Sequence, residues 1–283
     1  MSESPISNVS DTARWVALYR AEESARSDAL FHDPLARTLA GARGQAIADR
    51  IPGRLRSGWP MVARTKVIDD LVLQAISEGC DCVVNLAAGL DTRPYRLLLP
   101  ASLRWVEADL PAMIEEKKHL LGDARPRCKL EQIPVDLRDS ATRAAALRAA
   151  VGGSQQVLVI TEGLLIYLDE ADVRSLAADV AALPAVRSWI TDLAAPAILK
   201  MMQRGLGPML VNAPMKFAPA NGVGYFEALG WRVAEVHSLF HAAARLRRLP
   251  FFLKLLAFLP EPNPRKLESV RWSGVVCLKR MPG

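Results

Sequence analysis

Seven short apolar runs rich in β-branched residues, at 82–87, 104–110, 129–135, 156–161, 187–193, 231–236 and 274–278, recur along this chain of 283 residues, with helical periodicity between several of them. Strands that alternate with helices build a mostly parallel sheet covered on both faces, so this pattern predicts an α/β fold with a seven-stranded sheet. The clearest helical stretches are 62–77 and, after the acidic start Asp169-Glu170, 173–183. Apolar residues return there at three- and four-residue spacing, as a helix with one buried face requires.

The chain ahead of the sheet, 1–60, reads as an N-terminal helical cap, with helical patterns at 12–24 and 33–39 and a Gly/Pro-punctuated stretch at 41–60. Residues 61–283 read as the core, interrupted by an irregular insertion rich in Pro, Met and Gly at about 196–224. Long connections in such folds tend to carry function.

Composition excludes several classes. With 51% hydrophobic and 23% charged residues the chain is an ordinary globular one, and no apolar run reaches the roughly 18–20 residues that cross a bilayer. The opening "MSESPISNVSDTAR" lacks the basic and apolar regions of a secretory signal, which makes the cytoplasm the expected location. Cys80, Cys82, Cys128 and Cys277 have neither metal-ligand nor redox spacing and read as reduced bystanders; no metal is expected. A net charge of +6 suits anionic partners, but no Lys/Arg block joins a nucleic-acid motif, so nucleic acid is not an expected partner.

The stretch "VVNLAAGLDTRPYR", 83–96, runs from a buried strand straight into Ala87-Ala88-Gly89. Ligands of open α/β sheets bind beyond the carboxyl ends of the strands, and small residues there let a ligand approach the backbone. Asp109, twenty residues after Gly89 at the end of the second strand, has the spacing of an acid that accepts from a ribose diol. Each feature alone is also ordinary structural punctuation. The chain has neither G-x-G-x-x-G nor G-x-x-x-x-G-K-[ST], which argues against a dinucleotide or a nucleoside triphosphate. A ribose-bearing ligand without phosphates points to S-adenosyl-L-methionine.

The segments "VARTKVIDDLV", "NLAAGLDTRPYRL", "WVEADLP", "PVDLRD" and "TEGLLIYLDEADV", in this order and spacing, resemble the leucine carboxyl methyltransferase family, most closely its bacterial branch of O-methyltransferases of small molecules. "TARWVALYRAEESARSDALFHDPLA" resembles that branch's opening, and the likeness covers about 12–173, with a weaker fit through the last two strands. The resemblance implies a Rossmann-like class I methyltransferase fold and an S-adenosyl-L-methionine-dependent O-methyltransferase acting on a small-molecule acceptor, a carboxylate first and a hydroxyl or phenol as the alternative. It further implies that Arg64 pairs with the cofactor's carboxylate, that Ala87 and Gly89 give close backbone approach, and that Asp109 holds the ribose. Asp136 and Leu137 would receive the adenine, and Glu162 would lie near the ammonium or the methyl-transfer centre. Arg64 reads alternatively as a solvated helix residue, and Glu162 as a buried acid paired with an arginine. Asp91 and Arg93 read mainly as architecture that locks the turn.

Ala87 departs from the family's usual glycine. Its methyl group is harmless at ordinary backbone angles and strained at positive φ, and a scaffold that has lost transfer is the rival reading this motivates. A nicotinamide-dependent oxidoreductase fits the strand pattern but lacks the dinucleotide fingerprint. A carboxylate acceptor is already ionised at neutral pH and needs no general base, and His32, His119, His237 and His241 read as surface or packing residues, so no catalytic base is assigned. On the acceptor side the candidates are Tyr19, Arg20 and Tyr167; Arg20 and Glu22 read alternatively as braces of the cap through ion pairs such as one with Asp33. Finally, "RLRRLPFFLKLLAFLP", 245–260, reads as a stretch buried against the sheet, a lid over a lipophilic substrate, or a weak membrane-surface element.

Overall fold

β1 (Cys82–Leu86) and β4 (Val157–Thr161) are buried at every residue, as strands covered on both faces are. The computed structural model describes residues 9–53, 56–211 and 213–280. The opening 1–8, two positions of the 41–60 stretch and one of the 196–224 insertion therefore lie outside the described residues. β1 and β4 are neighbours in a seven-stranded sheet of order β3-β2-β1-β4-β5-β7-β6, with β2 at Arg104–Asp109, β3 at Lys129–Pro134, β5 at Val186–Ala194, β6 at Trp231–Ser238 and β7 at Ser273–Arg280. β1 to β5 pair in parallel, and β7 runs antiparallel to both β5 and β6. The seven apolar runs are these seven strands, and the sheet is mostly parallel as expected.

From β1 the chain steps outward to β2 and β3, then returns beside β1 as β4 and steps the other way. The connections leaving β1 and β4 therefore diverge and open a crevice at their carboxyl ends.

The α-helical segments among the described residues are α1 (Val9–Ser24), α2 (Ala36–Arg50), α3 (Trp59–Ser77), α4 (Arg93–Arg96), α5 (Pro111–Leu121), α6 (Ser140–Val151), α7 (Glu170–Ala181), α8 (Pro196–Leu206), α9 (Gly224–Glu227) and α10 (Leu239–Arg245). α6 and α7 cover one sheet face, where Val84, Leu86, Val106, Val159 and Trp189 pack with Leu147, Val173, Leu176 and Val180. α3 and α10 cover the other, where Val83, Trp105, Leu158 and Ile160 meet Val67, Ile68, Leu71 and Ala242. The alternation of adjacent strand residues between the two clusters is the period-2 pattern of a pleated strand. α1 and α2 form a third cluster with α5 and α8 through Leu18, Leu39, Ile47, Met113 and Leu199.

Three sequence expectations need correction. The helix expected at 33–39 begins at Ala36 and continues to Arg50, with Gly41 alone departing from helical angles (φ 55°, ψ −172°), because Gly44, Ile47 and Ala48 are buried beyond it. The insertion expected to be irregular from Pro196 opens as α8, since proline in the first helical turn lacks only an N–H that would have had no partner there. The 245–260 stretch is not buried against the sheet over its second half: Phe251–Phe258 is a 3₁₀ helix with no buried residue. Among the described residues no helix is long and apolar enough to cross a membrane.

Candidate functional site

Where β1 ends, Ala87 and Gly89 both take positive φ, 53° and 49°. The Ala87 amide still donates to the Ala108 carbonyl at 2.8 Å, so the turn begins while the strand ladder is intact. The Gly89 amide donates to Asp109 Oδ2 at 2.6 Å, and Asp109 Oδ1 accepts from the Leu110 amide at 2.7 Å. Asp109 thus ties the end of β2 to the turn. Burial raises its pKa against the opposing pull of those two amides and of Lys117. A methyl group at position 89 would lie 3.3 Å from Ala13 Cβ, so α1 passes close over the bare backbone. The Val135 amide donates to the Asp109 carbonyl at 2.8 Å and brings Asp136 and Leu137 alongside. Leu137 is buried at 8% exposure. Asp136 is held by the exposed Arg138, Nη2 to Oδ2 at 2.6 Å.

Ala87 adopts the conformation for which glycine is suited. A side chain in the left-handed region costs roughly 1–2 kcal/mol, offset by about 0.4–1 kcal/mol through the lower chain entropy of unfolded alanine. Ala87→Gly is therefore expected to raise stability by about 0.5–1 kcal/mol, read as a higher urea midpoint with unchanged slope. A lower midpoint would show that this turn is not strained.

The opposite wall is a network of charges. Arg64, in the second turn of α3, donates from Nε to Glu162 Oε1 at 2.9 Å and from Nη1 to Asp192 Oδ2 at 3.0 Å. Asp192, at the end of β5, also accepts from the Gly163 amide at 2.6 Å. Arg93 donates to Asp69, Asp91 and Glu162 at 2.7, 2.8 and 2.8 Å. Arg96 holds Asp69 through both terminal nitrogens at 2.7 Å. Three guanidiniums, Arg64, Arg93 and Arg96, thus face four carboxylates, Asp69, Asp91, Glu162 and Asp192, leaving one excess negative charge in a largely buried wall.

Arg64 is not a solvated helix residue, since its side chain is 11% exposed. Glu162 makes the arginine pairs that its alternative reading expected. Arg93 and Asp91 lock the turn, Asp91 also accepting from Asn85 Nδ2 at 2.8 Å. Burial by itself would raise the Glu162 carboxyl, but Arg93 and Arg64 outweigh it and hold the group below the usual range; Asp91 is lowered likewise, chiefly by Arg93 against its own burial. Both folded-state values lie below the unfolded ones. Their pairs therefore stabilise the fold above about pH 4, and that stabilisation is lost as pH falls through the depressed folded values. Urea midpoints should accordingly fall more steeply between about pH 6 and about pH 3 for the wild type than for Glu162→Gln. Equal slopes would remove Glu162 from the acid response.

Tyr167 reaches the same wall. Burial raises its pKa, opposed by a hydrogen bond with Thr12 of α1 and by the charge of Arg64. The other two acceptor-side candidates are committed elsewhere. Tyr19 is 3% exposed and donates its hydroxyl to the Arg56 carbonyl at 3.0 Å. Arg20 donates to Asp33 Oδ2 at 2.8 Å and to the Leu90 carbonyl at 2.6 Å, the bracing arrangement. His32 and His119 are exposed, His237 contacts Glu235 at 3.1 Å, and His241 Nε2 lies 3.1 Å from the Leu259 carbonyl oxygen. Sequence reasoning missed Asp192; the signal was an acid in the otherwise apolar "WITDLA" at the carboxyl end of the fifth run.

Comparison with known proteins bears on this crevice. The family model described as leucine carboxyl methyltransferase matches residues 13–181. A "Putative S-adenosyl-L-methionine-dependent methyltransferase" of Frankia alni is 35% identical over 255 residues, spanning 86% of this chain and 88% of its own. A protein of the same description from Streptomyces coelicolor is 36% identical over 251 residues, spanning 82% and 86%. The crystal structure of a "putative methyltransferase" from Thermobifida fusca aligns with a TM-score of 0.59 at 15% identity over 99% of this chain and 97% of that one, a likeness of fold. The matched span runs from α1 to the last residue of α7 and contains Arg64, the 87–89 turn, Asp109, Asp136 and Glu162. On that match and on relatives similar over most of their length, the chain belongs to the leucine carboxyl methyltransferase family.

Proposed function

We propose that this chain transfers the methyl group of S-adenosyl-L-methionine to a carboxylate oxygen of a small-molecule acceptor, forming a methyl ester. The coarser statement stands on family membership: the chain is an S-adenosyl-L-methionine-dependent methyltransferase. The observation that supports the cofactor site is the positive-φ turn flanked on one side by Asp109 and on the other by Arg64, Glu162 and Asp192, while the carboxylate acceptor is taken from the family's description as leucine carboxyl methyltransferase.

The donor set is compatible with the cofactor. An acid and a guanidinium side by side complement a zwitterionic amino-acid end, and the one excess negative charge of the wall complements a sulfonium. In this reading Arg64 grips the carboxylate, a task suited to a guanidinium fork, and Glu162 faces the ammonium. Ala87 and Gly89 let the nucleoside lie against the main chain. Asp109 keeps lone pairs for the ribose diol beyond the two amides it already accepts. Leu137 packs on the adenine, and Asp136 accepts from its amine; the exposed pair with Arg138 is a weak competitor.

Bound S-adenosyl-L-methionine supplies an activated methyl group. The chain's own part is alignment: it must hold a nucleophilic oxygen about 3 Å from the methyl carbon, opposite the departing sulfur. A carboxylate, with a solution pKa of about 4, arrives ionised and asks for no base. Tyr167, whose phenol burial keeps protonated, serves at the mouth as a hydrogen-bond donor and not as a base. Tyr19 and Arg20, both held by the protein, are left out of the acceptor site.

The strained Ala87 favours one rival, a scaffold that binds without transferring. Incubation of the enzyme with a metabolite extract and methyl-labelled cofactor distinguishes the readings by mass spectrometry. The expected product carries one labelled methyl group that mild alkali releases as methanol. An alkali-stable product would move the acceptor to a hydroxyl or phenol. Calorimetric binding of S-adenosylhomocysteine with no labelled product across the extract would favour the scaffold.

A further inference from the structure

The 3₁₀ helix Phe251–Phe258 projects its apolar side chains outward: Phe251, Phe252, Leu255 and Phe258 are 86%, 76%, 79% and 87% exposed. Leu256 and Leu259 are exposed as well. At three residues per turn, Phe252, Leu255 and Phe258 fall on one face. Folded proteins seldom leave a contiguous apolar patch in water unless it meets something.

The surrounding charge decides what that is. From Leu239 to Pro260 the sequence carries Arg245, Arg247, Arg248 and Lys254 and no aspartate or glutamate. Arg248 is engaged, pairing with Glu23 at 2.7 Å and Asp28 at 3.2 Å, which fastens the base of the segment to the end of α1 and the turn that follows. Leu249 is buried, and His241 Nε2 lies 3.1 Å from the Leu259 carbonyl oxygen at the far end. The patch is thus held at both ends while its side chains point out. Arg245, Arg247 and Lys254 are exposed, with Lys254 Nζ 5.9 Å from the centre of the Phe251 ring. The acids at its borders, Glu261 and Asp28, lie outside the segment and are set against His241 at 3.4 Å and Arg248 at 3.2 Å. Among the described residues the phenylalanines and leucines are thus bordered by unpaired charge of one sign only, the pattern of an element that lies in a membrane interface.

We propose that this face docks peripherally on an anionic lipid surface. Phe252, Leu255 and Phe258 enter the boundary between headgroups and acyl chains, and Arg245, Arg247 and Lys254 meet the phosphates. A second copy of the chain is a poorer occupant, because a two-fold interface sets the same patch, cations included, against itself.

Flotation of the full chain with vesicles tests this. Binding is expected to phosphatidylcholine mixed with phosphatidylglycerol, about 10-fold or more above phosphatidylcholine alone, and to weaken with salt. Phe252→Ser/Leu255→Ser/Phe258→Ser should abolish it. Arg245→Glu/Lys254→Glu, which leaves the apolar face intact, should remove the preference for the anionic lipid; circular dichroism verifies that both variants fold. The proposal is overturned by absence of binding to either vesicle, by equal binding to both, or by a dimer in sedimentation that the serine variant dissociates.

Discussion

Replacing Arg93 with methionine should lower the unfolding free energy by about 3–5 kcal/mol, the cost of leaving buried carboxylates without their cation. The side chain is 2% exposed and joins three parts of the fold: Asp69 on α3, Asp91 in the turn after β1, and Glu162 after β4. Methionine fills most of the same volume, so packing loss contributes little. Asp69 keeps Arg96 and Glu162 keeps Arg64, whereas Asp91 loses the only cation paired with it among the described residues. The damage therefore centres on Asp91, and Asp91→Asn in the same chain should recover part of it. Urea unfolding supplies the measurement, as a lower midpoint at unchanged slope. A loss below about 1 kcal/mol, typical of solvated ion pairs, would mean that the network is screened by water.

Asp109→Ala should weaken binding of S-adenosylhomocysteine by about 30- to 150-fold, or about 2–3 kcal/mol, as expected for losing hydrogen bonds to a charged acceptor. Two losses combine in this variant. The ribose hydroxyls lose the carboxylate assigned to them, and the Gly89 and Leu110 amides lose their acceptor. Asp109→Asn separates the two, because its carbonyl oxygen still accepts from one amide while the charge is gone; an intermediate affinity is expected. Calorimetry gives the affinity, and a parallel urea titration reveals any collapse of the turn. Wild-type affinity in the alanine variant would strike out the ribose assignment and redirect attention to Arg64, Glu162 and Asp192.

The strands were legible because central parallel strands must be apolar on both faces, and a run such as 82–87 can satisfy that demand in few other ways. α3 and α7 were legible from a single apolar face. Gly89 and Asp109 stood out because a small-residue turn and an acid twenty residues on are local patterns, whereas Arg64 and Glu162 were singled out only by the family resemblance of the segments that hold them. Other features are not properties of local spacing. β7 inserts antiparallel between β5 and β6, a matter of which edges meet. α2 continues through Gly41 because the residues beyond it are buried in the cap.

The site divides in the same way. The sequence named an acid at 109 and a small-residue turn at 87–89, but it left the angle at Ala87 open, and only the folded turn imposes φ 53°. It offered Tyr19 and Arg20 to an acceptor, yet the Arg56 carbonyl and Asp33 engage them, partners brought close by packing. Asp192 joined the site unannounced because β5 lies next to β4, which sets its carboxylate beside Arg64 and the Gly163 amide. The apolar segment 251–258 met no core at all. The order of residues along the chain determined which side chains share a strand, a helix or a turn, since those periodicities are local. Which of these elements adjoin, and hence which polar groups are already paired, was decided by long-range packing, because a hydrogen bond or ion pair depends on distances that only the closed tertiary structure sets.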